Sequence, residues 1–495
     1  RTIYLEAALN YKNTFGRHDV SGMLLFNQSD EINTKATNVE EALPYRFRGL
    51  AGRFTYGFDD RYFAEFNFGY NGSENFTPKN RYGFFPSVGL GWVISNESFF
   101  EPLTNVIQYL KVRGTWGQVG NSQISGRRFA YLATVTDSSS TSYTFGKNMD
   151  QNYGTTAIDE YAVDVTWEVA DKTDIGVDMR LLNNKLNLQF DYFKESREGI
   201  YLRRSSIPSY VGMINNPYGN IGKVENKGFE LSVNYANSWG GDWSLSLMGN
   251  YSFNRNKVLE DDSTVVYPWQ NTIGNKVGQR FGLVALGLFE NYGEIAASPV
   301  QTGDTRPGDI KYKDINGDGK IDEYDKVPIG WGSVPEIMYG FGFSVGWKNL
   351  SLTAMFQGAA HVDAMLSGEG VLPFSQGSSR GNLLSNITDR WTEENPRQNA
   401  FYPRLSIGNI NMNYEESTWW LKDTDYLRLK NIELSYRLPD HWMKRIHLDN
   451  ARIFIQGVNL LTFSSFKIWD EELGDGRGAR YPNIASVSLG VNFNF

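Results

Sequence analysis

Along most of the chain, apolar residues alternate one for one with small or polar residues. Between Ile337 and Trp347, one set is Ile337, Tyr339, Phe341, Phe343, Val345 and Trp347, and the other is Met338, Gly340, Gly342, Ser344 and Gly346. The pattern resumes after Lys348-Asn349 with Leu350, Leu352, Ala354 and Phe356, and recurs in the segments around Phe229–Tyr235 and Trp243–Phe253. It also closes the chain, where Val487, Leu489, Val491, Phe493 and Phe495 alternate with Ser486, Ser488, Gly490, Asn492 and Asn494. A period of two predicts β-strands with two different faces. Here one face is too wet for a protein core and the other too oily for water. About fifteen such strands follow from the pattern, and a phase shift between Leu429 and Ile432 predicts a β-bulge.

The connections alternate in length. Short ones fall at Phe15–Arg17, Asp59-Asp60, Asn183-Asn184, Trp239–Gly241 and Lys348-Asn349; long ones span 30–46, 119–169, 198–227, 257–334, 361–423 and 464–483. Short turns at one end and long loops at the other predict an all-β fold, a transmembrane antiparallel outer-membrane β-barrel with short periplasmic turns and long extracellular loops. A β-sandwich would bury its apolar faces in one core, and a solenoid would show a fixed repeat, which is absent. On the barrel reading, Trp92, Trp243, Trp347, Trp419 and Trp420 are expected in interfacial aromatic girdles.

Composition narrows the field. Aromatics make up 15% and there are 50 glycines, the balance of a turn-rich β-protein. A net charge of −8 with no basic stripe argues against a nucleic-acid partner. Without cysteine there are no disulfides, thiolate metal sites or Cys nucleophiles. No apolar run is long enough for a transmembrane helix. The chain opens within a strand, RTIYLEAALNYKNTFG, and so is expected to be truncated or processed.

Several segments together resemble the barrel of SusC/RagA-type TonB-dependent transporters: Gly52–Phe100, LKVRGTWGQVGN (Leu110–Asn121), NIGKVENKGFELSVNY (Asn220–Tyr235), GDIKYKDINGDGKIDEYDKVPIG (Gly308–Gly330), YLRLKNIELSYRLP (Tyr426–Pro439) and the terminal strand. The resemblance spans essentially the whole chain; one departure is IWDEEL at Ile468–Leu473, where the family usually carries Asp-Pro-Glu. It implies residues 1–495 as the C-terminal portion of a barrel in the outer membrane of Bacteroidetes-type bacteria. Such a barrel imports glycans or peptides beneath a SusD-like surface lipoprotein and is energised by TonB through a plug. On that resemblance the plug and first strands are expected not in this chain but outside residues 1–495. A plugged barrel of this kind has 22 strands, so about seven, with the plug, are expected from another segment or chain. Lipid and lipopolysaccharide would surround it, and Phe495 would be the terminal aromatic read by the assembly machinery. The alternative is a SusC-like barrel recruited as a structural scaffold in a larger outer-membrane assembly; an unplugged diffusion porin is a third reading.

One local motif carries candidate chemistry. DINGDGKIDEYD places Asp314, Asn316, Asp318, Lys320 (through its carbonyl), Asp322 and Asp325 at the ligand positions of a calcium loop, with Gly319 at the tight turn. Structural Ca²⁺ in an extracellular loop is therefore expected, although position 12 is Asp instead of Glu, and Pro328 and Gly330 leave no exiting helix. Catalysis finds little support. His18, His361, His441 and His447 are scattered; Asp470, Glu471 and Glu472 suggest a loop charge run before a glycosidase pair. Neither a nucleophile elbow nor a phosphate-cradling loop is present. The aromatic- and amide-rich stretches Ser209–Asn220 and Tyr267–Asn271 suit either cargo or the lipoprotein lid.

Overall fold

The computed structural model describes all residues except 37–41, 125–126, 376–382, 446–447 and 495, so Phe495 and His447 lie outside the described residues. Fifteen strands form one continuous antiparallel sheet in sequence order. They are numbered here β1 (Thr2–Phe15), β2 (His18–Glu31), β3 (Tyr45–Phe58), β4 (Tyr62–Ser73), β5 (Tyr82–Val93), β6 (Ile107–Asn121), β7 (Glu168–Leu181), β8 (Leu186–Arg203), β9 (Tyr218–Trp239), β10 (Trp243–Glu260), β11 (Ile337–Trp347), β12 (Leu350–Ala360), β13 (Tyr426–Arg437), β14 (Asn450–Ser464) and β15 (Ser486–Asn494). Neighbours in sequence are neighbours in space, so every connection is a hairpin, as an up-and-down barrel wall requires.

The register carries the two-faced pattern across the whole sheet. Phe229 pairs with Phe253, Phe253 with Ile337, Phe341 with Phe356, and Ile455 with Leu489, so the apolar residues form one outward surface. That surface has no protein cover: Leu489 is 77% exposed, and Leu9 and Leu90 are 69% and 64% exposed. Contiguous apolar area on this scale needs lipid against it. On β10 it runs from Trp243 to Phe253, about ten steps of roughly 3.4 Å. Tilted about 40°, that gives a band near 26 Å, matching the roughly 25 Å apolar height of an outer-membrane barrel.

At the short-turn end the outward face carries rings. Trp243 and Trp347 sit with centroids 6.0 Å apart, and Tyr62 stacks with Trp92 at 6.4 Å. These fit a periplasmic girdle. Trp419 and Trp420 do not: Trp420 is 1% exposed, and Trp419 packs against the same loop core. Their indole N–H groups donate to the carbonyls of Phe401 and Asn413. The long loops hold enough apolar residues to bury their own tryptophans, which the two-faced strand pattern does not convey.

The turns obey local chemistry. Asp59 and Asp60 adopt φ of 53° and 52°, and Gly240 and Gly241 59° and 78°, the left-handed conformations that tight hairpins need. The expected bulge lies at Lys430, which the β13 register skips against both neighbours. Two connections on the turn side are longer than a tight hairpin: 94–106 contains two 3₁₀ turns, and 438–449 contains the helix Asp440–Arg445. The expected loop 198–227 is mostly strand, with Arg203 paired to Tyr218. A bulge near Gly199, at φ 67°, breaks the alternation and hides the continuation.

The sheet has two open edges. Among the described residues, β1 pairs only with β2, and β15 only with β14. The core lies above the sheet. Loop residues between β10 and β11, β12 and β13, and β14 and β15 pack around Leu283, Leu288, Ile310, Tyr312, Ile321, Trp391, Tyr402 and Trp420. Small strand pairs brace this cap, including Arg280–Gly282 with Val327–Ile329 and Asp363–Met365 with Leu421–Asp423. A second, smaller cluster on the same side gathers Phe76, Ile124, Ala130, Val165 and Tyr201.

Candidate functional site

The inner face of the sheet is polar and internally paired. Arg53 meets Glu65 at 2.8 Å, and Lys172 meets Glu195 at 3.1 Å. Arg113 reaches Asp174 at 2.9 Å, Asp178 at 3.5 Å and also Asp191. Gly176 makes that meeting possible: a Cβ there would lie 2.4 Å from the Asp191 carboxylate and 2.5 Å from the Arg113 guanidinium carbon. A hollow of about 740 Å³ opens along this wall, lined by Asp19, Ser21, Glu65, Asn67, Lys111 and Arg113 among others. Balanced, hydrogen-bonded charges on a wide wall suit contact with water and polar solutes. Glu65, Asp174, Asp178, Asp191 and Glu195 each serve an arginine or lysine, and Asp19 accepts from the Thr14 hydroxyl, so the carboxylates are engaged in wall contacts and not set as a catalytic dyad.

Over the wall sits the loop cap, held by buried polar groups as well as apolar packing. Asp309, 1% exposed, takes two 2.9 Å hydrogen bonds from the Arg404 guanidinium and one from the Asn413 amide. Arg428, 2% exposed along its side chain, stands at the top of β13. It meets Asp470 at 3.1 Å, Glu471 at 3.0 Å and Glu472 at 3.1 Å, and donates to the Thr462 hydroxyl. The acidic run at 470–472 is thus a clamp on one buried arginine. It is neither a solvated charge run nor a pair of carboxylates facing across a cleft.

Burial also tunes the cap's titratable groups. Desolvation pushes the Tyr312 hydroxyl well up and Tyr414 to about 12. The Lys422 amine, which donates to the Trp419 carbonyl at 2.7 Å, is lowered by burial. Asp262 is held low, first by the backbone N–H of Ser206 and then by its hydroxyl.

The calcium-type residues share one turn of the cap. Asp314 accepts from the N–H of Gly317 and Gly319, and Asn316 from that of Asp318. Asp318 accepts from the N–H of Lys320, which is exposed, and Asp322 caps the 3₁₀ turn Glu323–Asp325. Asp325 is fully buried and accepts from Ile315, Asn316 and Asp322. The side chains are therefore turned to the loop's own backbone donors, and among the described residues no group of three or more acidic or histidine side chains converges as a metal site. Tyr267–Asn271 packs on this loop: Tyr267 and Trp269 stack at 4.6 Å, and the Trp269 indole donates to the Tyr324 carbonyl. In Ser209–Asn220, Tyr210 stands 88% exposed.

The described histidines are far apart in role. His18 contacts Tyr56 at the start of β2, His361 stacks on Trp331 beside Glu336, and His441 lies in the short helix on the turn side. The arginines that organise the wall and cap, Arg113, Arg404 and Arg428, were not singled out by sequence. Their nearest partners in sequence lie 61, 95 and 42 residues away; strand register brings the Arg113 partners together, whereas those of Arg404 and Arg428 meet only through loop packing.

Comparison with known proteins agrees with this architecture. Residues 2–460 match the family model described as TonB dependent receptor-like, beta-barrel. TonB-dependent receptor P3 of Formosa agariphila is 28% identical over 475 residues, covering 90% of this chain and 45% of that protein. TonB-dependent receptor SusC of Bacteroides thetaiotaomicron is 26% identical over 460 residues, covering 90% of this chain and 43% of that protein. The chain spans about half the length of the curated relatives it matches. The structure of the RagAB peptide transporter superposes with a TM-score of 0.75 at 20% identity, over 100% of this chain and 55% of that one. A membrane-tall sheet with a polar lumen side, a loop cap and these relatives lead to one conclusion: the chain belongs to the TonB-dependent receptor-like β-barrel family, as a SusC/RagA-type outer-membrane barrel.

Proposed function

We propose that this chain supplies the larger part of the barrel wall and the loop cap of an outer-membrane nutrient importer. The importer takes up glycans or peptides together with a SusD-like surface lipoprotein. The observation that carries the reading is the sheet itself, with an apolar band of membrane height outside, paired charges inside, and both edges open. Unpaired backbone groups facing lipid cost several kcal/mol each. The edges of β1 and β15 therefore call for further strands, about seven if the barrel reaches 22. Those strands, and a plug through which TonB acts, come from another segment or chain. The family is one of transporters, and the paired inner-wall charges are assigned to lining the path, with no catalytic role.

The calcium reading also enters here as a proposal. The spacing of Asp314, Asn316, Asp318, Lys320, Asp322 and Asp325 supports it. Binding would require Asp325 to exchange its backbone donors for the ion, so the affinity belongs in the weak, extracellular range of roughly 10⁻⁴–10⁻³ M.

The test uses the full-length protein in its own host. An affinity tag on an exposed loop should bring down a surface lipoprotein from outer membranes. Deleting the gene should abolish growth on one class of oligosaccharide or peptide mixture. Deleting only the TonB-contacting segment should do the same while leaving the complex intact. A complex that forms but supports no TonB-dependent uptake would instead favour the scaffold.

A further inference from the structure

Directly above the apolar band, three cations stand side by side on the lipid-facing surface. Lys194 of β8 pairs with Lys227 of β9, which pairs with Arg255 of β10. The row just below is Tyr192, Phe229 and Phe253, again in direct register. Arg255 lies two residues beyond Phe253, at the upper limit of the 26 Å band derived above. That is the depth of the outer-leaflet headgroups, because the long loops are extracellular.

Like charges directly opposite one another destabilise a sheet, and here three occupy one row. The carboxylates nearby do not balance them. Glu225 serves Lys194 at 2.8 Å and Lys227 at 3.5 Å, while Glu336 is shared by Arg255 at 2.7 Å, Lys276 at 3.1 Å and His361 at 3.2 Å. Lys257, exposed two residues above Arg255, adds another cation. Five lysines and arginines thus face two carboxylates. The Arg255 guanidinium also lies 5.5 Å from the Phe253 ring centre and 5.9 Å from that of Trp331, so the cationic and apolar rows form one continuous surface.

We propose that this surface is a docking site for a phosphorylated, multiply acylated glycolipid of the outer leaflet, the lipopolysaccharide class. Its phosphate bridges Lys194, Lys227 and Arg255, relieving their mutual repulsion, and its acyl chains descend over Tyr192, Phe229 and Phe253. The cations supply the charge complement, and the rings below supply the apolar continuation that free phosphate or a soluble acidic protein would leave uncovered. The proposal rests on the outer-membrane orientation and not on transport, so a failure of uptake leaves it standing.

The experiment titrates delipidated full-length protein in detergent with bisphosphorylated lipid A, followed by native mass spectrometry. Parallel arms use dephosphorylated lipid A and inorganic phosphate. The triple variant Lys194→Gln/Lys227→Gln/Arg255→Gln should bind lipid A roughly 100-fold more weakly, the loss expected for three cations at an anionic lipid surface. Dephosphorylated lipid A should bind the parent as weakly as lipid A binds the variant, and inorganic phosphate should not compete. Lys348→Gln, at the periplasmic end, should change nothing. Heat-modifiable gel mobility checks folding; if the triple variant fails to fold, Lys227→Gln alone should weaken binding about fivefold by the same reasoning. Equal lipid A binding by parent and folded variant would overturn the proposal. So would equal binding of dephosphorylated lipid A, displacement by inorganic phosphate, or loss of a bound acidic protein in place of lipid.

Discussion

Arg428 offers the most decisive perturbation of the cap. Replacing it with Met keeps the stem but removes the charge that Asp470, Glu471 and Glu472 surround at 3.0–3.1 Å. Asp470 and Glu471 are themselves 9% and 8% exposed along their side chains, so they cannot turn to water without moving the loop. Removing one partner of a buried ion pair costs about 3–5 kcal/mol. At about 1.4 kcal/mol per factor of ten, local opening of residues 465–485 should become roughly a hundred- to a few thousand-fold more frequent. Hydrogen–deuterium exchange on the full-length protein reads this directly, as faster exchange in that loop with the β14–β15 ladder unchanged. Adding Asp470→Asn, Glu471→Gln and Glu472→Gln to Arg428→Met removes the stranded charges and should recover most of the protection. Unchanged exchange in Arg428→Met would refute the clamp, as would a combined variant more open than the single one.

Other positions make smaller, separable tests. Phe341→Arg, on the lipid face near mid-band, should destabilise the folded barrel by about 2–4 kcal/mol, whereas lumen-facing Ser344→Arg should cost far less; urea titration in lipid vesicles compares them. Gly176→Ala should cost about 1–3 kcal/mol in the same assay, because its Cβ collides with Asp191 and Arg113. Burial lowers the Lys422 amine in the folded cap, so its charged form penalises folding below that lowered value. The penalty lifts as pH rises through the lowered value towards that of an ordinary lysine. The cap stability of Lys422→Met relative to the parent should therefore be greatest near neutral pH and decline by pH 10.5. Millimolar calcium should raise the cap's protection from proteolysis in the parent and not in Asp314→Ala/Asp318→Ala; equal responses would exclude the loop as its site.

What could be read from sequence follows from range. The strands are legible because each carries its own evidence: Ile337–Trp347 shows both faces within eleven residues, and the turn at Asp59-Asp60 declares itself in two. Even the bulge at Lys430 leaves a local mark, as a broken phase. The cap is not local. Trp420 looks like any exposed strand-end tryptophan until Tyr402 and Phe401 are brought against it by chain that is not contiguous with it. Arg428 carries no sign of its three carboxylates, because their meeting depends on β13, β14 and the loop beyond. The calcium-type loop is intermediate. Its turn is legible and its hydrogen bonds follow the Asx pattern, but spacing alone does not fix whether its oxygens face an ion or its own backbone.

On the proposed function, residues 1–495 are a lipid-facing wall whose β1 and β15 edges pair with strands outside these residues. Electron cryo-microscopy of the complete complex from native membranes tests it most directly. β1 and β15 should each be hydrogen-bonded to a strand outside these residues, with about seven strands lying between them to complete 22. Finding β1 paired with β15 in a closed fifteen-stranded barrel, or either edge bare against lipid, would contradict it.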